Sequence, residues 1–154
     1  MQGTVVEHSQ RAWSLTCGVE VKVRASAESV WRLLTNARAY PNWNSTIRSV
    51  EGEIRDGQRI TLSVPGTERR FTPVVSGVVP NKRMTWTGGF SPIFRGVRTF
   101  ELRESPDGST TFSMTEHFSG VALLFVSRLL PDFRPIFVRF ANDLKSEAEK
   151  RAAS

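Results

Sequence analysis

Arg98 and Glu116 are two ionisable side chains at positions where a strand pattern calls for apolar ones. Pro106-Asp107-Gly108 is a turn-forming cluster between two alternating runs, Phe94 to Glu104 and Thr110 to Ser119. If Ser105 to Ser109 closes a hairpin, Leu102 faces Phe112, Phe100 faces Met114 and Arg98 faces Glu116, all on the apolar side of the sheet. The other side takes Thr99, Glu101, Arg103, Thr111, Ser113, Thr115 and His117. A register slip of two residues would leave the pair as diagonal neighbours on the same side. An inward Arg and Glu are costly to bury unless paired and hydrogen-bonded. Two roles are open to them. They satisfy one another as a structural ion pair, or one or both offer a polar handle to a small molecule in an otherwise apolar pocket.

Other chemistries are short of parts. His117 has outward parity and His8 lies in a polar terminal stretch, so neither Cys17 nor any serine has a base beside it. One cysteine and two histidines cannot build a clustered zinc site, and no metal is expected. Thr87-Gly88-Gly89-Phe90 lacks the Lys and the strand-to-helix setting of a phosphate loop, and the two glycines suit a bulge or a sharp bend. The net charge of +6 could suit nucleic acid or an anionic membrane surface. The basic residues are spread along the chain, with Arg69-Arg70 and Lys82-Arg83 as doublets, and no nucleic-acid motif accompanies them. A solvated basic surface is the reading, with no nucleic-acid partner.

The elements that must hold the Arg98 and Glu116 side chains follow from periodicity. The 154 residues suit one domain that buries about two-thirds of the surface of the unfolded chain. The longest apolar stretch, Val121 to Val126, is far short of a membrane span, so no integral membrane contact is expected. Met1-Gln2-Gly3-Thr4 lacks the basic and apolar regions of a secretory leader, and with one cysteine this suggests a cytoplasmic protein. Met1 to Arg11 reads as a loose end, and residues 1–13 as a segment outside the domain. Leu15, Cys17, Val19, Val21 and Val23 alternate with more polar residues as in a half-buried strand. Ser26 suits an N-cap for a helix with Ala27, Val30, Trp31 and Leu34 on one face. A short helical turn follows around Pro41. Six further strands are expected over Ile47 to Ile54, Arg59 to Val64, Arg69 to Val79, Arg83 to Phe90, Phe94 to Glu104 and Thr110 to Ser119. Leu129, Leu130, Phe133, Ile136, Phe137, Phe140, Leu144 and Ala148 then recur at helical spacing, with Pro131 and Pro135 separating a short piece near Ala122 to Leu130 from a long helix.

This order of elements resembles the helix-grip superfamily of START and Bet v 1-like proteins (SRPBCC), in its polyketide cyclase/dehydrase and lipid-transport branch. The resemblance covers about Ser14 to Ala148 and rests on motifs in order. They are Val23-Arg24-Ala25-Ser26-Ala27-Glu28-Ser29-Val30-Trp31, Tyr40-Pro41-Asn42-Trp43-Asn44, Asp56-Gly57, Val79-Pro80, Met84-Thr85-Trp86, Asp107-Gly108-Ser109-Thr110, Glu116-His117-Phe118-Ser119-Gly120 and Asn142-Asp143-Leu144-Lys145. It implies an α+β fold over residues 14–151, with a curved seven-stranded antiparallel sheet round a long C-terminal helix and two short helices after the first strand. It further implies a cavity for a small hydrophobic or amphipathic ligand such as a lipid, an aromatic or a polyketide-like molecule, with no cofactor. Trp43, Phe71, Trp86, Phe90, Phe100, Met114, Phe133, Phe137 and Phe140 are the candidate lining, beside Arg98 and Glu116. A cyclase- or dehydratase-like enzyme is the alternative, with Glu116 as acid or base and Arg98 steadying a developing enolate. Many relatives carry His where Arg98 stands, and a guanidinium is a poor acid or base at neutral pH. A partner-binding module is a further alternative, marked by a filled interior and an exposed apolar patch. Monomer and homodimer are both open.

Overall fold

The computed structural model describes residues 5–11, 13–90, 92–126 and 129–154, without the side chain of Phe90. Alternation builds its main sheet. Strand β2 (Ser14–Val23) buries Leu15, Cys17, Val19, Val21 and Val23. It pairs on one side with β1 (Val5–Arg11) and on the other with β9 (Thr110–Ser119). The sheet continues through β8 (Phe94–Glu104), β7 (Arg83–Phe90) and β6 (Val74–Val79) in the antiparallel order β1-β2-β9-β8-β7-β6. Strands β3 (Ser49–Glu51), β4 (Thr61–Ser63) and β5 (Arg70–Phe71) form a separate three-stranded sheet.

The strands differ from expectation where side-chain pattern is weak. Val5–Arg11 is a strand and not a loose end, because its place is held by backbone pairing, with Val6 alone of its side chains packed on the core. The single strand expected over Arg69 to Val79 is two, β5 and β6, with Pro73 between them; proline cannot donate to a ladder. Nine described strands therefore stand in place of seven. Near the β7–β8 turn Gly89 has φ +75°, and a Cβ there would lie 2.3 Å from the Phe94 carbonyl oxygen, so the bend requires glycine.

Helix α1 (Ala27–Thr35) starts at Ser26, whose Oγ accepts from the Ser29 N–H at 3.2 Å. A 3-10 turn (Ala37–Ala39) and the short α2 (Tyr40–Trp43) follow. After β9 come the single turn α3 (Leu123–Val126) and the long α4 (Arg134–Ala152). Pro135 lies in the first turn of α4, where its missing N–H costs no helical bond. Phe137, Phe140, Ala141, Leu144 and Ala148 form the buried face of α4. Leu129 does not extend that face: it lies before the helix and is 82% exposed. Polar bonds fasten the helix at two levels. Lys145 Nζ donates to the Lys22 carbonyl at 2.9 Å and to Glu149 Oε1 at 2.6 Å, and Arg24 N–H donates to Glu149 Oε1 at 2.9 Å. Ser45 donates through N–H and Oγ to Asp143 Oδ2 at 2.8 and 2.7 Å.

Two measurements test this packing. Phe140→Ala removes a fully buried ring and is expected to cost about 3–5 kcal/mol in chemical denaturation. Arg139→Ala, one residue away on the exposed face, is expected to change stability by less than about 0.5 kcal/mol. A pH effect should come from the β8–β9 turn, where Ser109 Oγ and N–H both bond Asp107 Oδ1, at 2.6 and 3.0 Å. These bonds, with Lys22 nearby, lower the Asp107 carboxyl to about 2. Because the folded pKa is depressed, the ionised group stabilises the fold above its unfolded pKa, and that contribution is lost as pH falls through about 2. The difference in melting temperature between wild type and Asp107→Ala should narrow between about pH 5 and about pH 2.

Candidate functional site

The inward faces of β8 and β9 change character along their length. In register, Leu102 stands opposite Phe112, Phe100 opposite Met114, Arg98 opposite Glu116 and Gly96 opposite Phe118. The first two pairs are buried, whereas the side chains of Arg98 and Glu116 are 19% and 16% exposed and Phe118 is half-buried. Helix α4 follows the same gradient. Phe140 lies 6.1 Å from the rings of both Phe100 and Phe112, Phe137 lies 5.3 Å beneath the Arg98 guanidinium, and Phe133, just before the helix, stacks on Phe118 at 5.2 Å. The grip is thus closed at the Leu102 end and opens toward the β7–β8 turn, where Phe94 stacks on Phe118 at 5.7 Å.

At the boundary between the two regimes, Arg98 Nε and Nη2 both donate to Glu116 Oε2, at 3.0 and 2.7 Å. Neither bond uses Oε1. A Cβ on Gly96 would lie 3.6 Å from that oxygen and 3.2 Å from the Phe118 ring, so glycine lets ring and carboxylate close over the strand. Cys17 on β2 is opposite Glu116 on β9. Burial, helped by the charges of Asp132 and Glu116, pushes its thiol pKa up, which keeps it protonated and a poor nucleophile. His117 faces outward and shares a 2.8 Å hydrogen bond with Thr16 Oγ1.

Deeper in, rings meet rings. Tyr40 lies 4.9 Å from Trp43 and 6.3 Å from Trp86, Trp43 is 5.8 Å from Phe140, and Trp86 is 4.7 Å from Phe100. Tyr40 donates to the Leu34 carbonyl at 2.8 Å, and burial pushes its hydroxyl pKa up, so it remains a donor. Three buried donors lack an acceptor among the described residues: Trp43 Nε1, Trp86 Nε1 and Asn44 Nδ2. The carbonyl end of Asn44 is occupied, accepting from Thr46 N–H at 2.9 Å and Oγ1 at 2.7 Å.

Of the side chains expected to line a cavity, Trp43, Trp86, Phe100, Met114, Phe137 and Phe140 are buried in the one core, with Phe133 half-buried against it. In this structure Trp43, Trp86, Phe100 and Phe140 are neighbours in one ring cluster. Phe71 belongs elsewhere. It is 41% exposed on β5 beneath the Arg69 guanidinium at 5.6 Å, since Pro73 separates its strand from the main sheet. The side chain of Phe90 lies outside the described residues. Tyr40, Asn44, Phe94, Phe112 and Phe118 are additions to the candidate lining. The last two share the inward parity of Met114 and Glu116, which was the available signal.

A family model described as polyketide cyclase / dehydrase and lipid transport matches residues 15–149. Among solved structures, a Mesorhizobium loti protein is 22% identical with a TM-score of 0.69, over 88% of this chain and 97% of that one. A START superfamily protein from Mycobacterium smegmatis is 17% identical with a TM-score of 0.64, over 94% of this chain and 99% of its own. A Thalictrum norcoclaurine synthase point mutant, in complex with a transition-state analogue, is 13% identical with a TM-score of 0.67, over 99% and 98%. Such likenesses carry the fold alone. A search of curated proteins finds no match.

The pair at the boundary has a measurable signature. Arg98→Leu or Glu116→Leu alone strands the other charge, with an expected loss of about 2–4 kcal/mol, and the double variant should recover most of it. Chemical denaturation of the three variants checks this; purely additive losses would show that the two side chains do not act as a unit.

Proposed function

The chain belongs to the polyketide cyclase / dehydrase and lipid transport family, and on that premise we propose that it binds a small apolar or amphipathic molecule bearing an acceptor oxygen, between the main sheet and α4. The observation that carries this reading is the surplus of donors in the aromatic interior. A buried N–H without an acceptor costs about 1–3 kcal/mol, and native interiors seldom leave one so. Trp43 Nε1 and Trp86 Nε1 belong to indoles that both lie against the Tyr40 ring, and Asn44 Nδ2 follows Trp43 in the chain. A carbonyl, carboxylate or phenolic oxygen on a flat or hydrocarbon body complements such a lining. Arg98, partly exposed and bound to a single oxygen of Glu116, suits the more polar part of the same molecule.

Rings pack against one another between sheet and helix, so entry requires movement; such an interior, with the exposed apolar side chains, is also the mark of a partner-binding module, and the unpartnered donors favour ligand binding over it. The stacked Phe94, Phe118 and Phe133 stand at the open end and form the natural door, since Phe118 and Phe133 are only half-buried. No cofactor enters this scheme, and the protein acts in the cytoplasm.

The test is a titration of fluorescent aromatic ketones, fatty acids and hydrocarbons of matched shape into wild type, Trp43→Phe and Trp86→Phe. Each variant keeps a ring and removes one donor. Oxygen-bearing ligands are expected to bind about tenfold more weakly to at least one variant, with hydrocarbons unaffected. A flat titration for every ligand, together with native mass spectra of protein from its own host that show no bound small molecule, would overturn the proposal.

A further inference from the structure

Among the described residues, Val5, Phe71 and Val79 are exposed apolar side chains scattered over the surface, and the other large ones gather at one end of the molecule. Trp13 lies in the β1–β2 turn, Ile93 in the β7–β8 turn, and Val121, Leu124, Phe125 and Leu129 in the segment that follows β9. Trp13 is 59% exposed, Phe125 81% and Leu129 82%. Backbone bonds join the three segments. Gly120 N–H donates to the Trp13 carbonyl at 3.1 Å, Val121 N–H to Pro92 at 3.0 Å and Ala122 N–H to Ile93 at 3.0 Å. Gly120, with φ +128°, is needed for this approach, because a Cβ there would lie 2.3 Å from the Ile93 carbonyl oxygen. Leu123 is buried beneath, so α3 is anchored with Leu124 and Phe125 turned outward.

Charge singles out the same end. The sequence has no Asp or Glu between His8 and Val19, between Arg69 and Phe100, or between His117 and Pro131. Of the carboxylates that flank these stretches, Glu116 is engaged by Arg98, Asp132 by Arg134 at 2.9 Å and Glu20 by Arg103 at 3.3 Å. Arg11 and Arg95 are exposed beside the apolar tip. An apolar patch with two exposed arginines beside it and no carboxylate in the turns that carry it, on a chain of net charge +6, is complementary to an apolar layer under negative charge. Side chains more than four-fifths exposed project from the surface, as insertion requires, and indole is at home at a membrane interface. Two-fold pairing with a second copy would instead bring Arg11 and Arg95 of both copies to one interface whose turns hold no carboxylate to offset them.

We infer that this end docks on an anionic lipid bilayer, with Trp13, Leu124, Phe125 and Leu129 entering the interfacial layer and Arg11 and Arg95 meeting lipid phosphates. No described helix is long and apolar enough to cross a membrane, so the contact is peripheral. The inference stands apart from ligand binding, and a flat ligand titration would leave it untouched.

The full chain is mixed with vesicles of phosphatidylcholine alone and of phosphatidylcholine with phosphatidylglycerol. Binding is read by co-sedimentation and by tryptophan emission, to which Trp13 alone responds from an exposed position, the other three indoles being buried. Anionic vesicles should bind at least about tenfold more tightly than neutral ones, with a blue shift that Trp13→Phe removes and salt reverses. Phe125→Asp with Leu129→Asp, and separately Arg11→Gln with Arg95→Gln, should each weaken binding about tenfold with unchanged circular dichroism. Should the aspartates disturb folding, the glutamine pair still decides. Absence of binding to anionic vesicles, or equal binding by wild type and folded variants, would overturn the inference. So would a lipid-free dimer that the Phe125 and Leu129 changes disperse, because the patch would then serve a second copy.

Discussion

Phe140 is the contact on which the architecture turns. Its ring meets Trp43 from α2, Phe100 from β8 and Phe112 from β9, elements far apart in the chain, and lies within 6.5 Å of Tyr40 as well. No one of those elements can bury its own apolar face. The sheet is curved, the short helices are too small to form a layer, and α4 without the sheet would expose Phe137, Phe140 and Leu144 to water. The bonds from Lys145 to the Lys22 carbonyl and from Ser45 to Asp143 set the position and rotation of the helix, and packing of the ring then holds the layers together. They also determine where the grip stops being tight.

Toward the open end the same strands keep their parity but change their cargo. Two residues beyond Phe100 the inward position is Arg98, and two residues beyond Met114 it is Glu116. An all-apolar continuation would have closed the interior. A charged pair needs the partial hydration it receives there, since full burial of both ions would cost more than their attraction returns. The ion pair therefore marks how far a dry core can extend, and the stacked rings of Phe94, Phe118 and Phe133 beyond it are only half-buried.

How much of this is legible in the sequence depends on whether side chains or backbone decide the element. β7, β8 and β9 have the bounds expected of them, and Arg98 meets Glu116 in the expected register, because alternation and the tight Pro106-Asp107-Gly108 turn specify both. The Ser26 cap is equally local. β1 escapes such a reading, as its pairing with β2 is made through backbone groups common to all residues while every side chain but that of Val6 is exposed. Phe71 would line the interior only if Arg69 to Val79 were one strand, and Pro73 is the visible signal against that. The unpartnered donors are of a different kind. Whether an indole N–H finds an acceptor depends on residues brought in from other elements, and local pattern carries no trace of it.

The segment Val121 to Leu130 shows how one composition can serve two faces. Its apolar run is continuous in character with the buried stripe of α4, and by periodicity alone Leu129 belongs to that stripe. Gly120 changes the outcome. By letting the chain pass against the Ile93 carbonyl it turns the run across the open end of the grip, so that Leu123 faces the core while Leu124 and Phe125 face out. The cover of the interior and the exposed apolar tip are consequently one structure. Phe94 is next to Ile93 in the chain and stacks on Phe118, two residues before Gly120, so the rings at the open end and the exposed tip share the same two turns. An apolar molecule passing between such a surface and the ring cluster would cross little water, which is the physical advantage of placing the loosest end of the core beneath the most apolar part of the surface.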